Sequence, residues 1–182
     1  MPEQTNDKNE VLRKIGRNVV VLQKLEGLLK KLVTIQGATV SAGDQETFFR
    51  RMEAIEKRPL GHLVSEFLKS AYASESDSDP GYHAERPSAV SFSFSLDPAI
   101  EKEHSESLSC VVKERNALIH QMLISFNPDS ALSREDLARQ LDEQLDRVLP
   151  EYRFLHSLMA GIKESLQAAE RQLDLQQQNG NA

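Results

Sequence analysis

Arg115, Asn116 and His120 fall within six residues of one another in the stretch CVVKERNALIHQMLISF, residues 110–126. Side chains of these types suit phosphate chemistry. A histidine of ordinary pKa, about 6.5, can take or give a proton at neutral pH. An arginine keeps its charge and offers a planar fork of donors that matches phosphate oxygens. An asparagine can orient the imidazole or hold a phosphate oxygen. Such a set can drive RNA transesterification without a metal. A ribose 2′-hydroxyl attacks the neighbouring phosphorus, the 5′ oxygen leaves, and a 2′,3′-cyclic phosphate and a free 5′-hydroxyl remain. DNA lacks the nucleophile and is inert to this chemistry.

The three residues interrupt an apolar pattern of helical period, and their spacing sets a geometric problem. At 100° per residue, Asn116 and His120 share a face, whereas Arg115 and His120 differ by about 140° in azimuth and about 7.5 Å in height. One helix cannot easily bring both groups to one phosphate. Two copies crossing antiparallel can, with the arginine of one chain meeting the histidine of the other, so the spacing points to a homodimer with a composite site. Chance alone gives about 0.3 Arg-to-His pairs at this separation, and requiring an asparagine after the arginine lowers that to about 0.01.

The segment ERNALIH resembles the signature of the HEPN superfamily, in which an arginine, a polar residue and a histidine lie in one helix of an all-α bundle. Arg115, Asn116 and His120 match those three places. The resemblance implies a metal-independent endoribonuclease with catalytic residues Arg115, Asn116 and His120, no cofactor, and a dimer whose two motifs face each other. It further implies a toxin or phage-defence effector, with RNA as substrate and a cognate nucleotidyltransferase-like antitoxin as partner. Other superfamily members are silent nucleotide-binding or regulatory modules, and that reading stays open, as does a purely structural interaction protein.

The surrounding elements read as an all-α helical bundle of about five helices with one isolated extended segment near residues 89–96. From Asn9 to about Gln36, Leu12, Ile15, Val19, Leu22, Leu29 and Val33 form an apolar stripe widened by Leu25, Leu28 and Leu32. Arg17 and Asn18 on this helix read as surface residues. A second, shorter helix ends before Pro59, and a third buries Leu63, Val64, Phe67 and Leu68. Residues 73–88, rich in Ser, Asp, Gly and Pro, read as a mobile loop. Val90, Phe92, Phe94 and Leu96 then alternate with serines at the period of a strand. For want of a partner within the chain it is expected to lie across a helical groove or else to pair with a copy of itself in a dimer, the groove being preferred. Asp97 and Pro98 start the helix that carries Arg115.

A final helix begins at Ser133. From Leu141 through Leu145, Val148, Tyr152, Leu155, Met159, Ile162, Leu166 and Ala169 to Leu173, its apolar positions step by fours and threes, the spacing of a heptad seam. Pro150 is expected to kink or break it. Residues 1–8 and 175–182 read as disordered tails around a single domain, 9–174.

The 182 residues suit one domain. One cysteine, Cys110, allows no internal disulfide, and the five histidines are too scattered for a structural metal site. With no apolar run of membrane-spanning length and no signal-like start, the expectation is a cytoplasmic protein without a membrane partner. A net charge of −6 disfavours a long nucleic-acid groove, but residues 1–60 carry 11 basic and 8 acidic side chains against 11 and 20 in the remainder, which leaves room for a short RNA contact.

Overall fold

A computed structural model describes residues 2–36, 38–41, 45–72 and 89–180. Its helices are α1 (Pro2–Ile35), α2 (Gln45–Glu56), α3 (Leu60–Ala71), α4 (Glu101–Ala117) and α5 (Ala131–Gly180). A 3-10 turn, Pro98–Ile100, leads into α4. At its other end α4 runs on through a π-helical turn, Leu118–Met122, and a last turn, Leu123–Ser125. The chain is an all-α bundle, as its periodicity predicts.

Three helices enclose the centre. Ion pairs and hydrogen bonds join Lys8 to Asp129, Lys14 to Asp142 and Asn18 to Gln144, so α1 and α5 run in the same direction. Contacts from Gln144 to Glu114 and from Glu151 to His104 set α4 antiparallel to both. Leu25, Leu29 and Leu32 of α1, Leu108, Val111 and Leu118 of the α4 segment, and Leu141 and Leu155 of α5 are fully buried between them. Helix α3 covers one end with Leu63, Val64 and Phe67.

Asn18 is buried, not on the surface. Its place in the apolar stripe would be costly without partners, but its Nδ2 donates to the Leu141 carbonyl at 2.7 Å and to Gln144 Oε1 at 3.0 Å. Gln144, also fully buried, donates from Nε2 to the Glu114 carbonyl at 2.9 Å. The pair pins α1, α4 and α5 in one register. Asn18→Ala leaves Gln144 Oε1 without this donor and is expected to cost about 1–3 kcal/mol. Chemical denaturation checks this, and an unchanged unfolding midpoint would show that the pair does not hold the register.

Beside it, Asp142 accepts from Lys14 at 2.6 Å and from Arg17 at 2.9 Å. These two hydrogen bonds, Lys14 first, hold its carboxyl below the ordinary value of 3.8. A value depressed on folding stabilises above the unfolded pKa, and this contribution is lost as pH falls through the folded one. Asp142→Asn should therefore melt earlier than the wild type at neutral pH, and the gap should close below pH 3.8. Thermal scans against pH test the sign: a gap constant with pH would rule the linkage out. Because Asp142 is half exposed, solvent screening keeps the effect small.

The extended segment is not isolated. Ala89–Phe92 (β2) pairs antiparallel with Ala38–Ser41 (β1), with Ala38 opposite Phe92 and Ser41 opposite Ala89. A two-stranded ribbon is marginal alone, and the buried side chain of Ala38 and the residues after β2 tie this one down. Gln36 Nε2 donates to the carbonyls of Ser70 and Phe94, each at 2.9 Å, and its Oε1 accepts from Phe94 N at 3.0 Å. Leu96 N donates to the Ala71 carbonyl. Residues 93–96 thus do lie in a helical groove, with Phe94 and Leu96 turned inward and Ser93 and Ser95 outward. Arg51 closes the end of α1 by donating to the carbonyls of Val33 and Gln36.

Other boundaries shift. Helix α1 begins at Pro2, inside the expected tail, and its buried stripe starts at Val11, while Leu12 is exposed. Helix α5 begins two residues before Ser133, because the Ser130 hydroxyl accepts from Ser133 N, and Ser133 Oγ accepts instead from Asn127 N. Pro150 does not break α5. Burial of Val148 and Leu155 on either side outweighs the roughly 3 kcal/mol that the missing hydrogen bond and ring clash cost. The helix extends to Gly180, and residues 73–88 and 181–182 lie outside the described residues. Among the described residues no helix is long and apolar enough to cross a membrane.

Candidate functional site around Arg115 and His120

Helix α4 buries Leu108, Val111 and Leu118 and so turns Asn116, Ile119 and His120 to the outside. The acid next to the motif is already committed: Glu114 pairs with Arg147 of α5, and its carbonyl takes the Gln144 amide. Arg115 is left without a carboxylate at ion-pair distance among the described residues. Its Nη1 donates to Asn116 Oδ1 at 3.2 Å, so within one chain the asparagine steadies the guanidinium and not the imidazole.

Arg115 lines a groove of about 420 Å3 between α1 and α4, together with Leu22, Gln23, Lys30, Leu118 and Ile119. Glu26 of α1 and Glu56 at the end of α2 border it and hold Lys30 at 3.3 and 3.2 Å. Burial works against the charge on Lys30, but hydrogen bonds to Glu56 and Glu26 outweigh it and keep the ammonium above its usual pKa. Two cations and two carboxylates thus share the groove. Only the guanidinium is free of a partner acid.

His120 does not line this groove. It is exposed, on the π-helical turn, where Leu123 N reaches back to the Leu118 carbonyl. Turns of this width occur disproportionately at functional sites. The structure therefore brings Arg115 and Asn116 into hydrogen-bond contact but places only Arg115 in the groove, with Asn116 and His120 outside it, which agrees with the azimuthal separation of Arg115 and His120 expected from sequence. Among the described residues no second histidine lines the groove: His104 stacks on Phe154 and lies 3.4 Å from Glu151.

Gln23, Glu26 and Lys30 carry no motif in the sequence. Their one visible signal is spacing, since positions 23, 26, 27 and 30 form a polar stripe with Gly27 beside the apolar one. Among the described residues no three His, Cys, Asp or Glu side chains converge in a way that could hold a metal ion. Comparison with family models, with curated proteins and with solved structures returned no match to this chain.

Proposed function

We propose that the protein is a metal-independent endoribonuclease of HEPN type that works as a homodimer, with Arg115 of one chain and His120 of the other meeting on one phosphodiester. The observation that supports this reading most is the state of the two side chains. Arg115 lines an open groove with no acid to neutralise it, and His120 stands exposed on the same helix. Among the described residues Arg115 has the Asn116 amide but no acid as a partner, and His120 has no side-chain partner.

In this scheme the Arg115 guanidinium binds the non-bridging oxygens and stabilises the phosphorane as charge builds on it. His120 handles a proton, taking it from the 2′-hydroxyl or giving it to the departing 5′ oxygen. Asn116 fixes the guanidinium fork in plane. The near-neutral groove attracts a polyanion only weakly, which fits a short RNA contact better than a long track. A role as toxin or phage-defence effector with a cognate antitoxin belongs to the same reading.

A second reading draws on the separation itself. A nucleotide phosphate could bind at Arg115 without meeting His120 at all, as in a silent sensor or regulatory module. Incubating the wild type and His120→Ala with RNA in the presence of a chelator separates the two. Cleavage to 2′,3′-cyclic ends by the wild type alone supports the nuclease. Intact RNA with both proteins, together with nucleotide binding abolished by Arg115→Ala, would replace it with the binding module.

A further inference from the structure

Helix α5 leaves the bundle. Up to Ile162 its seam packs on the core, but residues 163–168, 170 and 171 are all exposed, and the helix continues to Gly180 as an arm of about 27 Å. Leu166, 38% exposed, stands on this arm at the next seam position after Ile162. In the sequence the four-three spacing continues along this arm through Leu166, Ala169 and Leu173, and an apolar seam of that spacing is the pattern that pairs with a second helix.

The charges on the arm identify which partner. In the heptad register of α5, Lys163 and Glu170 occupy the same flanking position one heptad apart, beside the apolar seam. They lie too far apart to pair with each other, and neither has an ion-pair partner among the described residues. We propose that the arm pairs antiparallel with the arm of a second copy of this chain. Setting position 166 against position 169 of the second copy sets 169 against 166 by the two-fold axis and keeps the seam beyond the core in register. That alignment brings Lys163 opposite the partner's Glu170 and, by the two-fold axis, Glu170 opposite the partner's Lys163.

A parallel pairing does neither. It sets Lys163 against Leu158 and Glu170 against Ser165, and it forces the two bundles side by side at one end of the arms. The antiparallel arrangement sends the bundles to opposite ends. The overlap is short, so the contact forms a concentration-dependent equilibrium. It is also separate from the pairing proposed for catalysis. Met122, next to the motif, is level with Gln144, about 33 Å along α5 from Leu166.

Sedimentation velocity on the full chain across a range of concentrations tests the proposal. Leu166→Glu should halve the mass of the largest species and leave any RNA cleavage unchanged. Lys163→Glu and Glu170→Lys should each weaken association about tenfold, by replacing two attractions with two repulsions. The double reversal Lys163→Glu/Glu170→Lys should restore it to within about twofold. A mass unaffected by Leu166→Glu would overturn the proposal, and so would a double reversal as weak as the single changes. Absence of RNA cleavage would leave it standing.

Discussion

Mixing Arg115→Ala chains with His120→Ala chains should restore RNA cleavage that neither variant performs alone. Each single change is expected to lower the rate by about 10²–10⁴-fold, the range that a proton-transfer group or a charge-stabilising donor contributes. In an equimolar mixture that exchanges freely, half of the dimers are mixed. Each mixed dimer joins the intact His120 of one chain to the intact Arg115 of the other at one of its two sites. Activity should therefore return to about a quarter of the wild-type level. A site built within one chain gives no recovery, because no chain in the mixture holds both groups. The structure makes this the informative experiment, since Arg115 opens into the α1/α4 groove and His120 stays outside it. A mixture as inactive as its components, with exchange verified by mass, would remove the two-chain site.

The largest loss of stability is expected at Phe67. Its ring is fully buried in α3 and packs on Phe94, with centroids 6.3 Å apart. Phe67→Ala should cost about 3–5 kcal/mol, the lost transfer energy of the ring plus the cavity left behind. For a domain of this size that lowers the melting temperature by roughly 10 °C or more. Phe94→Ala, at a half-buried position, should cost clearly less, and together the two should lose less than the sum of the separate losses because they share one contact. Calorimetry of the three variants checks this. Strict additivity would mean that residues 93–96 lie on the bundle without being part of its core.

Much of the fold is legible because helix periodicity is a local property. The stripe of α1, the breaks at Pro59 and Asp97–Pro98, and the four-three spacing of α5 each depend on residues within a few turns. Where the reading missed, the cause was distant in sequence. Asn18 reads as a surface polar residue until Gln144, 126 positions away, supplies its acceptor. The strand at Ala89–Phe92 has a partner, but Ala38–Ser41 is four residues long and separated from it by two helices. Of the kink or break expected at Pro150, the break is absent, because buried Val148 and Leu155 hold the helix on either side. The first residues read as a polar tail, and they nonetheless continue α1 back to Pro2.

The candidate site divides in the same way. Residue types and spacing alone determined that Arg115, Asn116 and His120 ride on one helix, that the first and last of them point apart, and that the chain builds an all-α bundle, because each follows from a 100° step and the chemistry of single side chains. Only the tertiary structure decided that Glu114 is drawn off to Arg147, that Arg115 shares a groove with Lys30, Glu26 and Glu56 without an ion-pair acid of its own among the described residues, and that α5 continues past the core to Gly180. Which charges cancel and which faces stay uncovered depends on what other helices bring alongside, and no local pattern carries that information.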